Sequence, residues 1–203
     1  MLYLRKSKMP ANEKPVKAKQ CAMVIAVPLT DDGYYADLRE PKEKKDFARS
    51  ISPFHHYEVE VISPVIRTAK ILEAAGVSIF TEAALSDFVR LFDGRFDVII
   101  LFTHSCNQLI EFRDGLTSAE NIVNKIPRDF SGFIDLSVCH PIDLVKTLDR
   151  VLPNAICHYI DATVTPVLWM QYFLFLFKQL IDNPDLTYLK ASVIAHHNLR
   201  TLF

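Results

Sequence analysis

Short apolar runs recur along the chain, and segments with helical periodicity separate them. Apolar runs without polar alternation are typical of strands that are buried on both faces of a parallel sheet. We therefore predict an α/β fold, a three-layer α/β/α sandwich with a mainly parallel sheet of five to six strands. The predicted strands are Cys21–Val27, Val77–Phe80, Phe96–Phe102, Phe133–Val138 and Asn154–Ile160.

Apolar positions three and four residues apart predict the helices between these strands. The first helix has Ser63 as its N-cap and Gly76 as its stop signal, and Thr117–Glu120 has the spacing of a capping box. The segment Leu109–Phe112, which turns at Asp114-Gly115, predicts a small hairpin. The other predicted helices are Ala84–Phe92, Ile142–Leu152, Pro166–Asp182 and Leu186–His197.

The most apolar stretch, Val164–Ile181, raises the question of a membrane-spanning helix. A span needs about 20 largely uninterrupted apolar residues, whereas this stretch contains Pro166, Gln171 and Lys178. We predict a helix that is buried within the protein, and no membrane partner.

Charge is distributed unevenly along the chain. The formal net charge is -1, which gives no overall argument for binding to nucleic acid. Residues 1–20 hold six Lys or Arg against Glu13 alone and therefore carry +5, so residues 21–203 carry about -6. We predict a flexible basic tail over 1–20 and one domain over 21–203. The polar segment 29–57 is predicted to be a long loop with a short helix over Glu40–Ser50.

Cysteine and glycine usage narrows the class of protein. The four cysteines are scattered, without a CxxC pair, which favours a reducing, cytoplasmic location. All five glycines are isolated, so neither a dinucleotide fingerprint nor a phosphate-binding loop can be drawn. We predict no cofactor.

Two predicted strands end on chemically reactive side chains, His104 and Cys139. Ligands of parallel sheets bind at the carboxyl ends of the strands, so neighbouring strands would bring these two residues together. The helix after Cys139 favours a thiolate, and the His104 imidazole could act as its base. The backbone N–H groups of Ser105 and Cys139 are candidates for an oxyanion hole.

Two structural interpretations compete with this one. A free cysteine is often simply buried, and a histidine at a strand end can be a satisfied polar group. Pairs such as Cys139-His140 and Cys157-His158 raise the possibility of zinc, but adjacent strand residues point to opposite faces and cannot both bind one ion. We predict no metal, and for His158 a place in the core.

The order of motifs resembles the caspase-like (clan CD) cysteine peptidases, and most closely the bacterial CHAT type. Those proteins have a strand ending in His-Gly, a hairpin, an Asp-Gly turn with a helix, and a strand ending in Ser/Ala-Cys. The resemblance covers about residues 96–191 and implies a cysteine endopeptidase with His104 as base, Cys139 as nucleophile and a thioester intermediate. It also implies a protein or peptide substrate and a separate sensor or regulatory protein. The matching segments are Ile100–Ser105, Leu109–Phe112, Asp114–Glu120 and Asp135–Cys139.

The sequence departs from the family pattern at two positions. Ser105 replaces the glycine that follows the histidine, and Ser137 stands where metacaspases carry an acid for a basic P1 side chain. Asp135 shares the strand face of Ser137 and is a second candidate for substrate binding, with a buried structural role as the alternative. These departures leave open a catalytically inactive caspase-like domain that works as a protein-binding or signalling module.

Overall fold

The computed structural model describes residues 4–6, 14–30, 55, 57–106 and 108–200. The strands are β1 (Leu4–Lys6), β2 (Cys21–Ile25), β3 (Ser78–Thr81), β4 (Val98–Phe102), β5 (Ser105–Cys106), β6 (Leu109–Phe112), β7 (Gly115–Thr117), β8 (Phe133–Ser137) and β9 (Ile156–Ile160). The helices are α1 (Ser63–Ala74), α2 (Leu85–Arg90), α3 (Ala119–Val123), α4 (Ile142–Val151), α5 (Pro166–Asp182) and α6 (Tyr188–Arg200).

Six strands form one sheet in the order β1-β9-β8-β4-β2-β3. The five strands from β9 to β3 are parallel, and β1 pairs with β9 in the antiparallel direction. Strands β2, β4 and β8 are buried at every position, because helices cover both faces of the sheet. The predicted three-layer α/β/α sandwich is confirmed.

Each face of the sheet has its own apolar core. On the first face, Met23 and Ile100 pack with α1, α5 and α6. On the second face, Ile99 and Leu136 pack with α2, α3 and α4. Helix α5 contributes seven buried residues, including Trp169, which agrees with the prediction of a buried helix.

Two predicted helix starts need correction. Ser63 does not cap α1, because the π-helical turn Glu58–Ile62 runs directly into it and Ile62 is the N-cap. The cap of α3 is Ser118, whose hydroxyl accepts from Asn121 N at 3.3 Å, one residue later than predicted. The prediction that α1 stops at Gly76 is confirmed by a φ of +100° there, a conformation that glycine adopts without strain.

The predicted hairpin after β4 is confirmed and is larger than predicted. Strands β6 and β7 pair around the Asp114-Gly115 turn, and β5 adds a third antiparallel strand. Strand β4 ends at Phe102, and strand β5 begins at Ser105. Thr103 and His104 lie between the two strands. The chain therefore passes from the parallel sheet into the hairpin through His104.

The structure describes residues 4–6 and 14–20 of the segment that is predicted to be a flexible tail. Val16 is buried in the first core, and its N–H donates to Leu186 O at 3.4 Å. Lys14 lies 3.1 Å from a carboxylate oxygen of Asp97, and residues 4–6 form the edge strand β1. The predicted helix Glu40–Ser50 and most of the predicted loop lie outside the described residues.

Candidate active site

His104 and Cys139 lie at the carboxyl ends of adjacent strands. Strands β4 and β8 are paired in parallel, with Phe102 opposite Ser137. Continuing this register by two residues places His104 opposite Cys139, on the side of the sheet that Phe102 and Ser137 share. Both side chains are partly exposed, so the region where the sequence predicts a dyad is accessible from solvent.

The two strand ends remain connected beyond the regular ladder. Thr103 N–H donates to Ser137 O at 3.4 Å, which continues the parallel pattern. At the next step, the Ser105 hydroxyl donates to Cys139 O at 2.5 Å. The serine side chain thus ties the segment after His104 to the candidate nucleophile, a contact that the glycine of the family pattern could not make.

The backbone of Ser105 has a defined direction. Ser105 pairs with Ile110 in the β5–β6 ladder, and Glu111 N–H donates to His104 O at 3.0 Å. In antiparallel pairing this bond makes Ser105 and Ile110 a non-hydrogen-bonded pair. The Ser105 N–H therefore points away from β6, which is compatible with the predicted oxyanion role.

Cys139 sits at a sharp junction between strand and helix. Its sulfur lies 3.9 Å from Val164 O, close enough for a weak S–H hydrogen bond. The next residue, His140, has a φ of +48°, an uncommon conformation for a residue with a side chain. Helix α4 begins at Ile142 without a side-chain cap, so its first N–H groups and their partial positive charge follow the thiol closely.

The imidazole of His140 is occupied on both sides. Its Nε2 lies 3.1 Å from Thr163 Oγ1, and its Nδ1 lies 3.5 Å from a carboxylate oxygen of Asp161. Both partners come from the connection between β9 and α5. Within the described residues, no group of three or more His, Cys, Asp or Glu side chains is placed to hold a metal ion.

The structure does not place Asp135 or Ser137 where a substrate could meet them. Asp135 is 0% exposed, and Ser137 is buried as well, with its hydroxyl 3.4 Å from Asp135 Oδ1. Both side chains face the helices of the first core and not the crevice. Their assignment to substrate binding is therefore corrected, and the structural alternative for Asp135 fits its position.

Asp135 is the centre of a buried polar network. Its Oδ2 accepts a hydrogen bond from Tyr188 OH at 2.7 Å and lies 3.0 Å from His158 Nδ1. Sheet register causes the second contact, because Asp135 and His158 are directly paired in β8 and β9. His158 thus lies in the core, as predicted, and its ring stacks on Tyr172 with centroids 6.4 Å apart.

Burial also controls the acidity of nearby groups. Desolvation, followed by the charge of Asp135, raises the pKa of Tyr172 and Tyr188 well above the ordinary value of 10.0. Desolvation likewise raises the pKa of the Cys21 thiol. Cys21 and Cys157 are both buried, whereas Cys139 is partly exposed, so Cys139 is the most accessible of these three thiols.

An open cleft of about 470 Å³ lies at the amino-terminal ends of the strands, whereas His104 and Cys139 lie at their carboxyl ends. It is lined by residues that precede β4, β8 and β9, among them Asp97, Asp129 and Gly132. None of the predicted site residues lines it. The cleft is therefore separate from the candidate active site.

No protein-family model matches the chain, and no curated protein is significantly similar to it. In the part of the chain that the structure describes, no helix is long and apolar enough to cross a membrane.

Proposed function

We propose that this chain is a caspase-like cysteine endopeptidase of the CHAT type, with Cys139 as nucleophile and His104 as base. The observation that carries the proposal is the adjacency of β4 and β8, whose paired residues Phe102 and Ser137 each lie two positions before a member of the dyad. The order of strand, hairpin, helix and strand between the two residues adds support.

In the proposed reaction, His104 takes the proton of the Cys139 thiol, and the sulfur attacks the carbonyl carbon of a peptide bond so that a C–S bond forms. The C–N bond breaks, and the protonated His104 gives its proton to the departing amine. His104 then takes a proton from water, which attacks the thioester. The C–S bond breaks, the acid is released, and His104 returns the proton to the Cys139 sulfur. The N–H groups of Ser105 and Cys139 would stabilise the oxyanion of each tetrahedral intermediate.

The proposed substrate is a protein or peptide, without an assigned preference at P1. Asp135 and Ser137 are buried, so neither supports recognition of a basic P1 side chain. A reducing cytoplasm would keep Cys139 as a thiol, and a separate sensor protein remains the proposed trigger.

One observation favours the second candidate, a catalytically inactive domain that binds proteins. The Ser105 hydroxyl bridges directly to Cys139 O and so fills part of the space between the two strand ends. An inactive domain would keep this bridge and the fold while its thiol had ordinary reactivity.

Alkylation of the cysteines distinguishes the two candidates. The protein is treated with equimolar iodoacetamide near neutral pH, and the adducts are mapped by mass spectrometry. We expect Cys139 to react first, and we expect His104→Ala to abolish this preference. His197→Ala, which removes an exposed histidine of α6, is the matched control and should leave the preference intact. Slow, equal labelling of Cys139 and the buried Cys21 and Cys157 would refute the peptidase.

A further inference from the structure

Glu111 is a buried carboxylic acid of the hairpin that takes no part in the reaction proposed above. It lies in the middle of β6 and is 5% exposed. Its neighbours Ile110 and Phe112 pack into the second core, so alternation along the strand directs Glu111 to the opposite side. An ionised carboxylate in such a position is tolerated only when another group stabilises it.

The register of the hairpin places Glu111 beside His104. Strand β5 pairs Ser105 with Ile110, and one step further along the same ladder His104 is opposite Glu111. The hydrogen bond from Glu111 N–H to His104 O, 3.0 Å long, belongs to this step. Residues directly opposite in an antiparallel pair project to the same face, with Cβ atoms about 4.5–5.5 Å apart.

A second contact fixes this arrangement. The Thr103 hydroxyl donates to Glu111 O at 2.6 Å and is buried. Glu111 is therefore bonded across the hairpin twice, through its N–H to His104 O and through its carbonyl oxygen to the Thr103 hydroxyl. The backbone of Glu111 cannot slide relative to His104 without breaking these bonds, so the carboxylate stays on the imidazole side.

The two registers together line up three side chains. Extending the β4–β8 register two residues beyond Phe102 and Ser137 places Cys139 opposite His104 on one side. Extending the β5–β6 ladder by one step, where Glu111 N–H donates to His104 O, places Glu111 opposite His104 on the other. The imidazole thus has a thiol and a carboxylate as its two cross-strand neighbours. This is the arrangement in which an acid orients a histidine toward a nucleophile.

We propose that Glu111 is the positioning residue of the active site, where its carboxylate orients the His104 imidazole and stabilises its protonated form. This inference rests on the proposed function, because it assigns a partner to the proposed base. Glu111 does not touch the reacting atoms and acts only through His104.

Other titratable groups are present at this edge of the sheet within the described residues. Cys139 and His140 follow β8, Asp161 follows β9, and Glu82 follows β3. Asp161 pairs with His140, and Glu82 accepts from the Thr30 hydroxyl at 3.1 Å. Glu111 is the carboxylate that the strand register places directly opposite His104.

The test compares Glu111→Gln with the wild-type protein and with Glu73→Gln, which alters an exposed carboxylate of α1. The rate of Cys139 alkylation is measured against pH, and the ring protons of His104 are titrated by NMR. A carboxylate close to an imidazole shifts its titration by about one pH unit or more. We expect Glu111→Gln to lower the midpoint of His104 by about one unit and to slow alkylation about tenfold near pH 7.5. Glu73→Gln should change neither measurement.

Each outcome has a separate meaning. If wild-type Cys139 is not selectively alkylated, the proposed function fails, and the role of Glu111 fails with it. If labelling depends on His104 but Glu111→Gln leaves rate and midpoint unchanged, only the role of Glu111 is overturned. Should Glu111→Gln not fold, Glu111→Asp keeps the charge and withdraws it by one methylene. An intermediate midpoint then supports the proposal, and a wild-type midpoint contradicts it.

Discussion

The hydrogen bond between Tyr188 and Asp135 should contribute measurably to stability. The Tyr188 hydroxyl donates to Asp135 Oδ2 at 2.7 Å, and both side chains are completely buried. Tyr188→Phe keeps the ring, which packs against Phe133 at a centroid distance of 5.7 Å, and removes only the donor. Because water cannot replace it, we expect the free energy of unfolding to fall by about 1.5–3 kcal/mol, as for hydrogen bonds to charged groups.

Tyr172→Phe is the matched control. Tyr172 is equally buried on the same face of the sheet, but its hydroxyl has no hydrogen-bond partner among the described residues. The nearby Ser192 hydroxyl donates to Leu189 O at 2.8 Å, and the Tyr172 hydroxyl does not lie within hydrogen-bond geometry of it. Removal of a buried hydroxyl that makes no hydrogen bond should therefore change stability by less than about 0.5 kcal/mol or increase it.

Equilibrium unfolding in urea, followed by far-UV circular dichroism near pH 7, measures both variants. We expect the urea midpoint to fall for Tyr188→Phe and to remain unchanged or rise for Tyr172→Phe. The m-value, the slope of the free energy of unfolding against urea concentration, should be the same in both variants. If the two variants lose equal stability, the loss comes from the change of the ring itself and not from the hydrogen bond to Asp135. If Tyr188→Phe leaves the free energy of unfolding unchanged, the hydrogen bond to Asp135 does not stabilise the protein.

Three further predictions concern other parts of the fold. Gly132→Ala would place a Cβ 2.4 Å from Asp97 O and should cost about 1–3 kcal/mol in urea unfolding. The exposed Ser131→Ala should be neutral, and equal effects would exclude the clash. Raising the pH above about 10 should lower the urea midpoint. Burial raises the pKa of Tyr172 and Tyr188. Above about pH 10 these tyrosines therefore lose their protons in the unfolded chain while the native protein keeps them. The stability that they contribute below about pH 10 is lost as the pH rises. A midpoint unchanged up to about pH 11 would contradict this. Ser105→Ala removes the 2.5 Å hydrogen bond to Cys139 O and should cost about 1 kcal/mol. An unchanged thermal unfolding temperature would show that the bridge does not stabilise the strand ends.

The apolar pattern predicted the sheet better than it predicted the helix starts. Strands β2, β4 and β8 are buried on both faces, and such strands require long apolar runs that are visible in a sequence. Helix starts depend on a few local hydrogen bonds. Ser63 has the composition of a cap, but the π-helical turn before it already supplies the first helical residues, and nothing in the local sequence indicates that turn.

The candidate site was predictable in its residues and not in its surroundings. His104 and Cys139 stand out because each ends an apolar run, and a parallel sheet brings such ends to one edge. For Asp135 the sequence leaves both substrate binding and a buried structural role open, because alternation assigns a side chain to a face without showing whether that face is open. Two helices cover it, and Tyr188 approaches from 53 residues away.

The sequence pattern does not indicate Glu111, for a related reason. Its position in an alternating hairpin strand is typical of a solvent-facing residue. Only the pairing of β6 with the segment after β4 shows that this face lies beside His104 and is buried. A polar residue within a predicted hairpin next to a candidate base is the one signal that could have indicated it.

The sequence by itself determined the fold class and the two candidate catalytic residues. Strands that are buried on both faces are visible as apolar runs, and the two candidate residues directly follow the ends of such runs. Tertiary structure alone decided that β4 and β8 are neighbours, that Asp135 is closed off by Tyr188 and His158, and that Glu111 lies opposite His104. These relations join residues from separate elements, and they depend on strand order and register, which no local pattern encodes.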